Sequence, residues 1–348
     1  MYSDTDLDSA VAAGALTPHA AAALRAHVSA ARQSPIVDEE QFRLITGFND
    51  IFVSIAAILF LTGCAWAGGS VTPWLGAALV AVSSWLMAEY FTARRRMALP
   101  SIIFLLAFVG GVFAAFGTFL VPEGNVGEGD RVGAALLAVS AAIAVGAAWL
   151  HWRRFMVPIT IAAGAAAASG ALLLLLAVAY PAVDKVIMPI ILMAGLGVFA
   201  FAMRWDMSDR DRSTRRADVA FWLHLLAAPM IVHPIFVMLG LTEGEASADV
   251  AGVVLGIYLV LGSIALIIDR RALMVSALAY VLAAMGALFR EFGAVSLSVA
   301  ITALVIGSAL LLLSAFWHDV RARLVGMLPE VLQARLPVTQ PVTPQPAS

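Results

Sequence analysis

The sequence predicts an all-α fold, a polytopic integral membrane helical bundle of about ten transmembrane helices with both chain ends in the cytoplasm. Three observations carry that prediction. The chain of 348 residues is 62% hydrophobic and only 13% charged, with a mean hydropathy of +0.94, far from the composition of a soluble globular domain. Its apolar residues fall into runs of about 20, the length of helix that crosses a bilayer. Its basic residues gather on alternate loops, the asymmetry that orients helices in the bacterial inner membrane.

Taken in order, the chain divides into a cytoplasmic N-terminal helical hairpin at 1–35, a transmembrane domain at 36–318, and a juxtamembrane amphipathic helix with a disordered Pro-rich tail at 319–348. Met1 to Gly47 holds no apolar core of the secretory kind and begins with Asp4, Asp6 and Asp8, so it reads as a retained cytoplasmic segment. Leu7, Val11 and Leu16 give weak helical spacing. Thr17 followed by Pro18 reads as the N-cap and first position of a helix running to Arg32. Alanine-rich helices this short are marginal alone, so the hairpin is expected to rest on the membrane domain or to bind a cytoplasmic protein partner. After a Gln33-Ser34-Pro35 linker, Asp38 can cap a helix with Phe42, Ile45 and Phe48 on one side, as an interfacial segment requires.

The expected spans are 49–68, 73–92, 98–121, 132–150, 156–179, 186–203, 218–240, 250–268, 272–289 and 294–317. Eighteen of the 21 basic residues then lie inside, and only Arg131, Lys185 and Arg290 outside. The other face carries Glu123, Glu128, Asp130, Glu243, Glu245 and Asp249. Arg95-Arg96, Arg153-Arg154, Arg215-Arg216 and Arg270-Arg271 recur at separations of 58, 62 and 55 residues. Such pairs arise wherever arginines hold a turn inside, and they also suit a duplicated two-helix hairpin. Gly110, Gly111, Gly117, Gly164, Gly170, Gly195, Gly197 and the Gly252/Gly256 pair are expected to let helices approach closely. Trp66 and Trp74 at one boundary, with Trp149, Trp152, Trp205 and Trp317 at the other, match interfacial belts. Beyond Trp317, Arg321, Arg323 and Arg335 flank Leu324, Leu328 and Leu332, a basic amphipathic pattern that suits the inner leaflet.

The seventh span is the most interrupted, with Trp222, His224, Pro229, His233 and Pro234 in an otherwise apolar run. Each proline lacks an N–H, which deprives the carbonyls of Leu225 and Met230 of their helical donors and predicts a kink or break. Backbone freed in this way is tolerated only against protein or a watery cavity, and an intramembrane histidine is a functional candidate by default. The candidate transport or gating residues are therefore His224, Pro229, His233, Pro234, Glu89 and Asp50, with Arg290 and Glu291 at an outer turn. Each has an ordinary alternative, such as a helix cap for Asp50, a headgroup contact for Glu89 and an interhelical hydrogen bond for either histidine. His224 and His233 are nine residues apart, which at about 100° per residue sets them on nearly opposite faces. A shared metal ion is not expected, and no cofactor is.

No Gly-x-Ser-x-Gly, phosphate-binding glycine loop or paired catalytic carboxylates occur in the chain, so no catalytic residue is assigned. The single cysteine, Cys64, lies in an apolar run, which removes a disulfide framework. A net charge of −2 leaves no nucleic-acid footprint. What remains is a small-molecule or ion transporter, or else a non-transporting scaffold or sensor whose N-terminal hairpin binds a cytoplasmic partner. The partner common to both is the lipid bilayer; composition fixes no oligomeric state.

Three stretches carry a resemblance: Gly14-Ala15-Leu16-Thr17-Pro18-His19-Ala20, Phe42-Arg43-Leu44-Ile45-Thr46-Gly47-Phe48-Asn49-Asp50-Ile51-Phe52, and Asp218-Val219-Ala220-Phe221-Trp222-Leu223-His224. The chain resembles an uncharacterised bacterial family of predicted inner-membrane proteins of unknown function. That resemblance implies a short helical cytoplasmic N-terminus before a multi-span bundle, and it brings no activity. Ten spans with both ends inside are also similar in topology to the drug/metabolite transporter superfamily, whose motifs the chain lacks.

Overall fold

The computed structural model describes residues 4–24, 48–121, 131–180, 182–210, 214–240, 248–270, 304, 307–308, 311–312 and 315–337. The expected ninth and tenth spans, the Arg290-Glu291 turn, the interfacial helix before Phe48 and the Pro-rich tail lie wholly or largely outside the described residues. The chain divides into two compact units, one of Met1–Arg43 with Gln340–Ser348 and one of Leu44–Thr339. In the first, α1 spans Asp4–Ala12, the backbone turns left-handed at Gly14 with φ 71°, and residues 18–24 are helical. Thr17 caps that second helix as expected, its Oγ1 accepting from the Ala20 N–H at 3.1 Å.

The second unit has only helices as regular elements among its described residues. It runs α2 (Phe48–Gly69), α3 (Pro73–Phe91), α4 (Ala98–Leu120), α5 (Arg131–Phe155), α6 (Ile159–Ala179), α7 (Ile187–Met207), α8 (Arg215–Met238), α9 (Ala248–Ile268), α10 (Trp317–Gly326) and the single turn α11 (Glu330–Gln333). Seven of these, α2 to α8, are long and apolar enough to cross a membrane, and α9 is an apolar helix of 21 residues. Pro73 opens α3 at a position where its missing N–H costs nothing. Arg153 and Arg154 close α5 where cations favour the helix dipole. The helices pack most extensively as antiparallel pairs α3/α4, α5/α6 and α7/α8, the hairpins closed by arginine-bearing turns. The α3/α4 and α5/α6 turns pass through a left-handed residue, Arg96 at φ 53° and Met156 at φ 55°.

Close approach falls on fewer glycines than the sequence suggests. A Cβ on Gly111 would come 3.0 Å from the Ala77 carbonyl, and Gly117 and Gly164 are in ordinary contact at 3.4 Å, whereas Gly110, Gly170 and Gly197 face open space. The tightest crossing joins α2 to α3, where a Cβ on Gly68 would lie 2.6 Å from the Gly76 Cα.

The seventh span does not break. Helix α8 runs unbroken from Arg215 to Met238 with Pro229 and Pro234 inside it. The carbonyl that Pro234 deprives of its donor belongs to Met230, and it faces a neighbouring helix: a Cβ on Gly195 of α7 would lie 2.9 Å from the Met230 oxygen. Protein, not a cavity, covers that backbone. Gly195→Ala is accordingly expected to force α7 and α8 apart and lower stability by about 1–3 kcal/mol, the usual cost of overpacking. Thermal unfolding in detergent measures it, and an unchanged midpoint would show that the two helices tolerate the added methyl.

Candidate functional site

Three of the ionisable groups that meet in the bundle are fully buried and bonded to one another. Asp206 stands in the last turn of α7, His224 is the tenth residue of α8, and Arg270 follows the end of α9. The Asp206 carboxylate takes His224 Nε2 at 2.8 Å on Oδ2 and Arg270 Nε at 3.2 Å on the same oxygen. Arg270 Nη2 bonds Oδ1 and also donates to the Ala217 carbonyl at 3.1 Å. The His224 side chain is 0% exposed, and Asp206 and Arg270 are 2% exposed. A fork of guanidinium N–H groups on a carboxylate is the strongest ion-pair geometry available to side chains.

The elements that deliver these groups follow from local sequence. Arg204 is exposed, so its charge reaches past the apolar surface and does not stop α7, which continues four residues beyond the expected limit of 203. That extension carries Asp206 inward. Helix α8 begins three residues earlier than expected because Thr214 caps it, its Oγ1 accepting from Arg216 N at 3.2 Å. Thr214 is itself held by Asp209, whose Oδ2 accepts from Thr214 N at 3.0 Å and from its hydroxyl at 2.7 Å. Helix α9 ends in a Schellman turn, with Asp269 left-handed at φ 56°. Arg270 N bonds Ala265 O at 2.9 Å and Asp269 N bonds Leu266 O at 3.2 Å. Aspartate is among the residues that adopt this conformation most readily.

The charge count of the triad decides its chemistry. An ionised carboxylate only accepts, so the His224 nitrogen facing it carries the proton, and the imidazole is the Nε2–H tautomer or the cation. With a neutral imidazole, Asp206 and Arg270 cancel and the buried group bears no net charge. A second proton on His224 would leave one carboxylate shared between two cations. Phe199 of α7 closes one side of the ring, edge-on at 5.2 Å between centroids. Further charge comes from Asp218, which lies within electrostatic range of Arg270, Asp209 and Arg215. Arg270 bonds both carboxylate oxygens, and no group of three or more His, Cys, Asp or Glu side chains able to hold a metal ion occurs among the described residues.

The other expected residues are dispersed. His233 and Pro229 are exposed while His224 and Pro234 are buried, which matches the opposite faces that the nine-residue separation requires. Glu89 is bound in a two-bond fork to Arg154, at 2.9 and 2.6 Å, tying α3 to α5 at their arginine-bearing ends. The pair is substantially exposed, so water and salt screen it, and it is well separated in the chain from the triad. Asp50 is buried in the first turn of α2, and its carbonyl accepts from the Ser54 hydroxyl at 2.6 Å. A second enclosed histidine, His151, bonds Thr160 Oγ1 through Nδ1 at 3.2 Å among Trp85, Phe108 and Phe155.

The C-terminal segment also differs from expectation. Arg321 does not reach for headgroups: it is 3% exposed, lies 3.7 Å from Asp269 and donates to the Pro337 carbonyl at 2.8 Å. Trp317 is buried rather than part of a belt, its Nε1 donating to Asp269 Oδ1 at 2.7 Å. Arg210 donates to the Leu336 carbonyl at 2.9 Å. Trp317, Val325 and Leu336 pack with Ala265, Leu266 and Ile268 of α9, so α10 presents its apolar side to protein.

Reading the sequence alone missed Asp206 and Arg270. The available signal was the three aspartates Asp206, Asp209 and Asp211 on a loop otherwise rich in arginine, since acidic residues contribute little to topology and need another reason to be there. No protein-family profile matches this chain, and no curated protein or solved structure does either.

Proposed function

We propose that this protein is a small-molecule or ion transporter of the bacterial inner membrane, with ten spans and both ends cytoplasmic, in which His224, Asp206 and Arg270 form a proton-responsive gate on the cytoplasmic side. The observation that carries the reading is the burial of a titratable imidazole against an already paired carboxylate. His224 lies within a membrane-length helix, where an ionisable group is expensive and marks an ion or substrate path, and imidazole is the side chain whose ordinary titration falls between about pH 5 and 8. Protonation of His224 sets it in competition with Arg270 for Asp206, which gives the ends of α7, α8 and α9 two arrangements with different charge. Such a two-state element is what a gate needs. The arginine-bearing turns support the orientation, and Pro229 on the exposed side of α8 supports local bending.

His224→Gln keeps a hydrogen-bond donor for Asp206 and removes the titration. In proteoliposomes with an internal pH dye and an imposed pH gradient, the wild type is expected to pass protons with a pH-dependent rate between pH 5 and 8, and the Gln variant to lose that dependence. An identical pH profile in both would take His224 out of the mechanism. Absence of proton movement in the wild type would sink the gate and leave the second reading, a membrane scaffold or sensor, which the close packing of Gly195 on Met230 favours over an open path along α7 and α8.

A further inference from the structure

We propose that the C-terminal segment Trp317–Pro337 is a strap that controls the triad by gripping the two chain turns that hold it. One grip is on Asp269, which takes Trp317 Nε1 at 2.7 Å and lies 3.7 Å from Arg321. The residue next to it is Arg270. The other grip is on Arg210, four residues past Asp206, which donates to the Leu336 carbonyl at 2.9 Å. The strap therefore holds each partner of the Asp206–Arg270 pair from outside, through a neighbour in the chain. Between the grips, Arg321 ties the strap to itself by donating to the Pro337 carbonyl.

The Schellman turn transmits the hold. Asp269 and Arg270 are consecutive residues fixed by two backbone bonds to α9, and their side chains run to different targets, one to the strap and one to Asp206. A change in the turn that frees one side chain displaces the other. The strap suits a moving part, because helices of 10 and 4 residues are too short to hold their shape alone and keep it only through docking. Elements of that kind come from the low end of local stability, where switches are drawn from. Its outer side leaves Met327, Val331 and Leu332 exposed.

This inference rests on the triad being the working centre, but its test reads structure, so it fails or stands apart from transport. In the full-length protein in nanodiscs, Asp269→Asn weakens the Arg321 pairing while asparagine still accepts the left-handed turn, and Arg210→Gln cuts the second grip. In the double variant, amide hydrogen exchange over 317–326 is expected to quicken about tenfold, with at least about a threefold rise over 204–209 and 217–224. Amides over 104–109 in α4 should keep their wild-type rates. Faster exchange confined to 317–326 would overturn the coupling, and unchanged exchange there would overturn the grips themselves. Should 104–109 quicken as well, the single Arg210→Gln variant decides by the same two readings. A protein that moves no protons yet shows coupled exchange keeps the strap and loses the transporter.

Discussion

Arg270→Leu is expected to lower stability by about 3–5 kcal/mol, because it leaves the Asp206 carboxylate buried with only an imidazole for company. Asp206→Leu should cost about as much, since the stranded charge is then the guanidinium without the carboxylate it forks. The double variant Asp206→Leu/Arg270→Leu should recover most of the loss, as apolar replacements of buried ion pairs generally do. It stays short of wild type by about 1–3 kcal/mol, the cost of a buried His224 N–H without its acceptor. Denaturant unfolding of the three variants in detergent gives the coupling directly as the departure from additivity. Losses that simply summed in the double variant would mean that the two charges do not compensate one another, and the triad would lose its physical basis.

Topology gives the other large effect, because a reporter is either exported or not. Reporter fusions after Gly124 and Gly244 should be active in the periplasm, and those after Arg96 and Ser213 in the cytoplasm. The expected ten spans would put eighteen basic residues on one side and three on the other, a bias larger than orientation ordinarily needs. A cytoplasmic signal after Gly124 or Gly244 would overturn the ten-span arrangement, and the triad's assignment to the inner side would fall with it.

What the sequence disclosed was whatever depends on local periodicity. Span lengths follow from runs of apolar residues, the Thr17 cap from a hydroxyl before a proline, and the opposed placement of His224 and His233 from helical pitch. What stayed hidden depends on partners distant in the chain. Asp206 looks like a loop residue until α7 outruns Arg204, and Arg270 looks like one more topological charge until α9 brings it against α7, 64 residues away in sequence. The prolines leave α8 helical throughout. A missing N–H frees a carbonyl, but what lies against that carbonyl is set by another helix, here through Gly195. The amphipathic pattern after Trp317 was real, yet periodicity alone does not say whether an apolar stripe meets lipid or protein.

The fit of Gly195 over Met230 has a consequence for biogenesis. A carbonyl without a donor costs several kcal/mol in hydrocarbon, so α8 arriving in the bilayer by itself would expose backbone that lipid does not satisfy. Its cover is the helix synthesised immediately before it, joined by a connection of only seven residues, 208–214. Insertion of α7 and α8 together as one hairpin is therefore expected, because that backbone then meets protein instead of lipid. Lengthening that connection, while keeping the Asp209 and Arg210 contacts, should lower the yield of folded protein if the two helices insert together.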